Sequence, residues 1–156
     1  MAPDGAPPVA AVEYRSPTML KVRDIMTTEV FTVDAHEPIV QAAWTLTSQL
    51  ITGAPVKDGD GNVIGVLSET DLLRRFLDER GNPTGTVSSA ISGVVWSIAP
   101  DDPAIDAVRL MTSRRIHRVV VIEAPGKLVG IVSSTDVLAA LDKGLSFQDP
   151  DPEPAR

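Results

Sequence analysis

Two short runs hold the side chains best suited to chemistry, Ser68-x-Thr70-Asp71 and Ser133-x-Thr135-Asp136. Each begins three residues after a glycine in an apolar run, Gly65 and Gly130. The Ser-x-x-Asp spacing is that of a helix capping box. Serine and aspartate would then satisfy the first backbone N–H groups, a contribution of about 1 kcal/mol. A helix start also turns unpaired N–H groups and the positive end of the helix dipole toward an anion. Capping leaves unexplained the threonine that stands at the same place in both runs.

A second candidate group is His117 and Arg118. Arginine presents a planar fork that grips phosphate oxygens in bidentate fashion. The competing reading is a surface strand with solvated charges. Arg114 and Arg115 lie near an expected helix end, where the C-terminal dipole accounts for them. Gly65 and Gly130 interrupt strands in which glycine normally costs stability. A closely approaching ligand and tight packing against a helix explain them equally well.

Other constellations carry less. Asp58-x-Asp60-x-Asn62 with Glu69 has the outline of a calcium loop, but Val63 stands where the sharp turn needs glycine, so a hairpin turn is expected. His36 and His117 are the only histidines and sit in different contexts, which argues against a metal cluster. There is no cysteine, and no nucleophile–base set is visible, so no catalytic residue is assigned and an enzyme is the weakest reading.

The candidate runs need elements to position them, and those elements come twice. Gly65-Val66-Leu67-Ser68-Glu69-Thr70-Asp71 recurs 65 residues later as Gly130-Ile131-Val132-Ser133-Ser134-Thr135-Asp136. The offset holds without a gap at Val22 and Val87, Pro38 and Pro103, Ala42 and Ala107, Ile51 and Ile116, and Gly61 and Gly126. One structural unit is used twice. In the first copy, Val30 to Val33 reads as a strand. A helix entered at Pro38 follows, with an apolar stripe of Ile39, Ala43, Leu46 and Leu50. Ala54 to Val56 and Val63 to Leu67 read as strands, and Leu72, Leu73, Phe76 and Leu77 as the buried face of a helix. The second copy repeats this with strands Val95 to Ile98, Arg118 to Ile122 and Leu128 to Val132. Its helices bury Ala104, Val108 and Met111, then Val137, Leu138 and Leu141. Phe31 and Trp96, which align, are expected in the core, with one of them against a planar ring of a ligand as the alternative. The fold class is α/β (α+β), two β-α-β-β-α repeats with their sheets buried against each other about an approximate twofold axis.

The expected layout is a Pro-rich disordered tail over 1–18, a first repeat over 19–80, a linker over 81–85, a second repeat over 86–143 and an acidic, Pro-rich tail over 144–156. At 156 residues and 43% hydrophobic content the chain can bury a core. No apolar run is long enough to span a bilayer, and the first residues lack a signal-peptide pattern, so a soluble, cytoplasmic protein is expected. A net charge of −7 argues against nucleic acid. Ala104 to Arg118 departs from that balance, with four arginines against Asp106 alone. One basic pocket in an acidic protein suits a small anion.

The duplicated Gly-apolar-apolar-Ser-x-Thr-Asp, Ile51-Thr52-Gly53-Ala54-Pro55-Val56 and Ile116-His117-Arg118-Val119-Val120-Val121 resemble a tandem pair of CBS domains, the family named after cystathionine β-synthase. The resemblance covers about residues 21 to 143. It implies a regulatory, non-catalytic module that binds an adenine nucleotide (AMP, ADP or ATP) in clefts between the copies and signals to a partner protein. In the family the aspartate accepts from ribose hydroxyls, which suits a carboxylate with its two acceptor oxygens. Carried over, ligand contact falls to Ser68, Thr70, Asp71, Ser133, Thr135 and Asp136, with Gly65 and Gly130 beside them and His117 and Arg118 on the phosphate. The Asp136 site is expected to dominate because the basic pair belongs to its repeat; the pair reaching a ligand on Asp71 is the alternative. S-adenosylmethionine, NADH or a cyclic dinucleotide would be recognised through the same ribose. The other class is a ligand-independent structural module. A homodimer is expected, and no attached enzyme or transporter domain is expected within this length.

Overall fold

The structure, a computed structural model, describes residues 19–148; the rest of both expected tails lies outside the described residues. In order, the elements are α1 (Val22–Ile25), β1 (Val33–Asp34), α2 (Ile39–Ser48), β2 (Gly53–Lys57), β3 (Val63–Ser68), α3 (Glu69–Asp78), a 3-10 turn (Val87–Ser89), β4 (Ser97–Ile98), α4 (Ala104–Arg114), β5 (Arg118–Glu123), β6 (Lys127–Ser133) and α5 (Ser134–Asp142). Each half is the expected β-α-β-β-α unit. β1 runs parallel to β2 and β2 antiparallel to β3, and β4, β5 and β6 repeat that order. Even the irregularity is repeated: Val56 pairs with Gly65 and Val121 with Gly130, and each ladder slips at the next residue. The Asp58–Asn62 segment is the expected turn. Asp58 Oδ1 accepts from the Asp60 and Asn62 N–H groups at 2.9 Å each, and these backbone bonds, that of Asn62 foremost, hold its carboxyl below the usual range.

Several expected faces shift. α2 ends at Ser48, and Leu50 follows it with φ 55° and 92% exposure, outside the helical stripe. Ala42 is buried on α2 and Ala107 on α4, where Ala43 and Val108 were expected. On α3 only Leu72 is buried, with Phe76 half-buried; Leu73 and Leu77 are exposed. Residues four apart share a row along a helix, and the row of Leu73 and Leu77 turns away from the sheet. On α5 the buried residue is Ala140, and Leu138 and Leu141 face outward. β1 and β4 are two residues each, so Phe31 and Trp96 fall before them and outside the core.

There are two cores, and each is completed by the segment that leads into the other unit. Val22 and Ile25 of α1 pack with Val119, Val121 and Val132 of the second unit. Val87, the counterpart of Val22, packs with Ile39, Val56 and Leu67 of the first. Backbone bonds fix the exchange. Thr27 and Ile131 each donate to the other's carbonyl at 2.9 Å; Val87 N donates to Glu37 O and Ser88 N to Ala35 O, both at 3.0 Å. On the faces of the middle strands turned away from these cores, Pro55 and its counterpart Val120 are fully buried, in keeping with the expected burial of sheet against sheet. The units are also tied by exchanged segments, and Val66 and Ile131 on the strands border a cleft. Phe147, placed by sequence in the terminal tail, packs against the second core.

The exchange also accounts for two glycines. The crossing chain lies so close that a Cβ on Gly130 would stand 2.7 Å from Met26 Sδ and 3.0 Å from Thr27 O. A Cβ on Gly65 would stand 2.6 Å from Ile91 Cδ1 and 3.2 Å from Ser92 O. Packing of a neighbouring segment accounts for glycine at both positions, most strictly at Gly130, where backbone is among the atoms approached.

Candidate ligand-binding cleft

Both capping boxes form. Ser68 Oγ accepts from Asp71 N at 3.2 Å, while Asp71 Oδ2 accepts from Ser68 N at 2.9 Å and from Ser68 Oγ at 2.8 Å. Ser133 and Asp136 repeat the arrangement at 3.3, 2.7 and 3.0 Å. Capping occupies only Oδ2. The remaining oxygen distinguishes the copies: Asp136 Oδ1 accepts from Thr27 Oγ1 at 2.8 Å, whereas Asp71 Oδ1 has no hydrogen-bond partner among the described residues. The counterpart of Thr27 is Ser92, which lines the cleft without such a bond.

Arg118 opens β5 opposite Ser133, in its own repeat, but its side chain reaches the first unit. Its guanidinium donates to Thr52 Oγ1 and lies where a side chain on Gly53 would be, with Cζ 2.5 Å from the ideal Cβ position. Thr52 and Gly53 are the counterparts of His117 and Arg118, so the repeat makes room for its own asymmetry: glycine at 53 admits the arginine of 118. The same backbone link ties each position to the following helix, Glu69 N to Thr52 O at 2.8 Å and Ser134 N to His117 O at 2.9 Å. Burial lowers the Arg118 pKa, and the carboxylates of Glu69 and Asp71 oppose that shift.

These residues meet in one cleft of about 940 Å³. It brings together Ser68, Thr70, Asp71, His117, Arg118, Ser133, Thr135 and Asp136, all eight polar candidates from the sequence. Gly65 and Gly130 do not border it. Phe31 and Trp96, expected in the core, line the cleft, and the Arg114 guanidinium stacks 4.2 Å from the Trp96 ring centroid. That contact gives Arg114 a cation–π partner in addition to the helix end. Arg115, with φ 53°, also borders the cleft. Sequence reasoning missed Thr27, Glu29, Thr52 and Glu69 as lining residues. The 65-residue offset carried one signal for them: Glu69 and Glu29 face uncharged counterparts, Ser134 and Val94. Among the described residues no group of His, Cys, Asp and Glu is placed to hold a metal ion.

A cleft flanked by two capped helix starts, with the outer oxygen of Asp71 left open and a recessed guanidinium, can accept hydroxyl donors and hold an anionic group together. The family model described as CBS domain matches residues 22–78 and 87–143. The A-adding tRNA nucleotidyltransferase of Aquifex aeolicus is 29% identical over 88% of this chain, which spans only 16% of that protein's length. The crystal structure of CBSX2 in complex with AMP shares 26% identity at a TM-score of 0.71, covering 80% of this chain and 97% of that one. The CBS domain pair of protein MJ0100, solved with 5′-methylthioadenosine and S-adenosyl-L-methionine, shares the fold at a TM-score of 0.73 and 23% identity, covering 81% and 98%.

Proposed function

The chain belongs to the CBS domain family as a tandem pair, and from that premise we propose that it is a regulatory module whose central cleft binds an adenine nucleotide of the AMP type. The ligand's ribose hydroxyls are received by Asp71, its phosphate by Arg118, and occupancy is signalled to a partner protein through the two units' relative arrangement. The observation that carries this reading is the pairing of a free Asp71 Oδ1 with a guanidinium delivered from the opposite repeat. The AMP complex of CBSX2, similar along most of this chain, supports the choice of ligand class. The reading also revises the preference between the two halves. Sequence favoured Asp136 because the basic pair lies in its repeat. Arg118 instead lies against Thr52 and Gly53, and Thr27 already uses the outer oxygen of Asp136.

Calorimetry with AMP, ADP, ATP, S-adenosylmethionine, NADH and cyclic dinucleotides tests this. A hydrogen bond to a charged group is worth about 1.5–3 kcal/mol. Asp71→Ala and Arg118→Ala should therefore each weaken AMP binding roughly ten- to a hundredfold, while Asp136→Ala changes it little. Loss of binding in Asp136→Ala alone would return the site to the other half. Absence of binding at millimolar concentration for every ligand would favour the ligand-independent structural module.

A further inference from the structure

Within the proposed ligand reading, on which this step rests, we infer that the cleft selects against the triphosphate and that Glu69 is the residue responsible. Four carboxylates line the cleft, those of Glu29, Glu69, Asp71 and Asp136, against the guanidiniums of Arg115 and Arg118. The starts of α3 and α5 each add roughly half a positive charge, which leaves the lining slightly negative when His117 is neutral. Position sharpens the point. Arg118 and Glu69 converge on one residue: the guanidinium donates to the Thr52 hydroxyl, and Glu69 N donates to the Thr52 carbonyl at 2.8 Å. The recess at Gly53 and the bond to Thr52 hold the cation in the same cleft as Glu69 and Asp71, within electrostatic reach of both carboxylates. Asp71 is engaged by ligand hydroxyls in the proposed pose. Glu69 has no such role, and no hydrogen bond engages its carboxylate among the described residues. It offsets the charge that a phosphate would seek. One phosphate can share Arg118 with it; each further phosphate adds negative charge to a site whose fixed cation is already opposed. The counterpart of Glu69 is Ser134, so this repulsion belongs to the Asp71 half.

The test is calorimetry of AMP and ATP in magnesium-free buffer at low ionic strength, on the intact chain and on Glu69→Gln and Glu69→Lys. AMP should bind at least about tenfold tighter than ATP. Glu69→Gln should narrow that gap severalfold by improving ATP more than AMP, and Glu69→Lys should close or invert it. Added salt should narrow the gap in the parent protein, because screening weakens exposed charge interactions. Thermal melts of both variants establish that they are folded. ATP binding as tightly as AMP to the parent, or an unchanged gap in both variants, overturns charge selection while leaving the ligand reading in place. Failure of both nucleotides to bind removes the ligand reading and this inference with it.

Discussion

At the scale of single residues, the decisive position is the glycine of the first repeat that stands where the second carries an arginine. Gly53 is the counterpart of Arg118, and its lack of a side chain is what lets the Arg118 guanidinium cross to Thr52. Gly53→Ala would put a methyl group against that guanidinium and 2.9 Å from Leu67 O. AMP affinity is expected to fall about as far as in Arg118→Ala. Overpacking should add a stability loss of about 1–3 kcal/mol. Calorimetry and denaturant melts on the same variant check both, and retained affinity would show that the recess is not needed. The capping serines and aspartates were legible at this scale because three-residue spacing from serine to aspartate has a local meaning. Which carboxylate oxygen stays free was not, because Thr27 lies 109 residues from Asp136.

At the scale of elements, the two strand glycines depend on what crosses them. Gly130 abuts the Met26 sulfur and the Thr27 carbonyl, and backbone yields little; Gly65 mainly meets the end of Ile91, which can swing away. Gly130→Ala should cost about 1–3 kcal/mol and Gly65→Ala less. Equal losses in thermal or denaturant melts would remove the distinction. The strands β2, β3, β5 and β6 were readable because continuous apolar runs bounded by turn residues mark buried strands. β1 and β4 were overextended, since two-residue strands leave almost no pattern and Phe31 and Trp96 look like strand residues wherever they lie. The exposed row on α3 was misread for a related reason. Leu72, Leu73, Phe76 and Leu77 form two adjacent rows, and only the packing partner selects between them.

At the scale of the whole molecule, the 65-residue repeat made the architecture legible, but not the exchange of lead-in segments. Nothing in the composition of Val22 or Val87 says which core will take it. The same comparison of repeats locates an apolar exterior on the first unit. Trp44 is 72% and Leu77 82% exposed, whereas their counterparts are Arg109 and Asp142. Exposed apolar side chains of this kind suit an interface, and a symmetric homodimer through α2 and α3 of the first units is the assembly to test. Light scattering at tens of micromolar should give twice the chain mass, and Trp44→Glu with Leu77→Glu should give a folded monomer. A monomeric parent protein would refute the dimer without touching the cleft.

The central claim is that one ligand bridges the two repeats at Asp71 and Arg118. Amide chemical-shift mapping during an AMP titration of the isotope-labelled protein tests it most directly. The largest shifts are expected at Thr52 and Gly53, at Glu69 to Asp71, and at His117 and Arg118, all saturating together. Shifts confined to Thr27 and Ser133 to Asp136, or no saturable shift anywhere in the cleft, would contradict it.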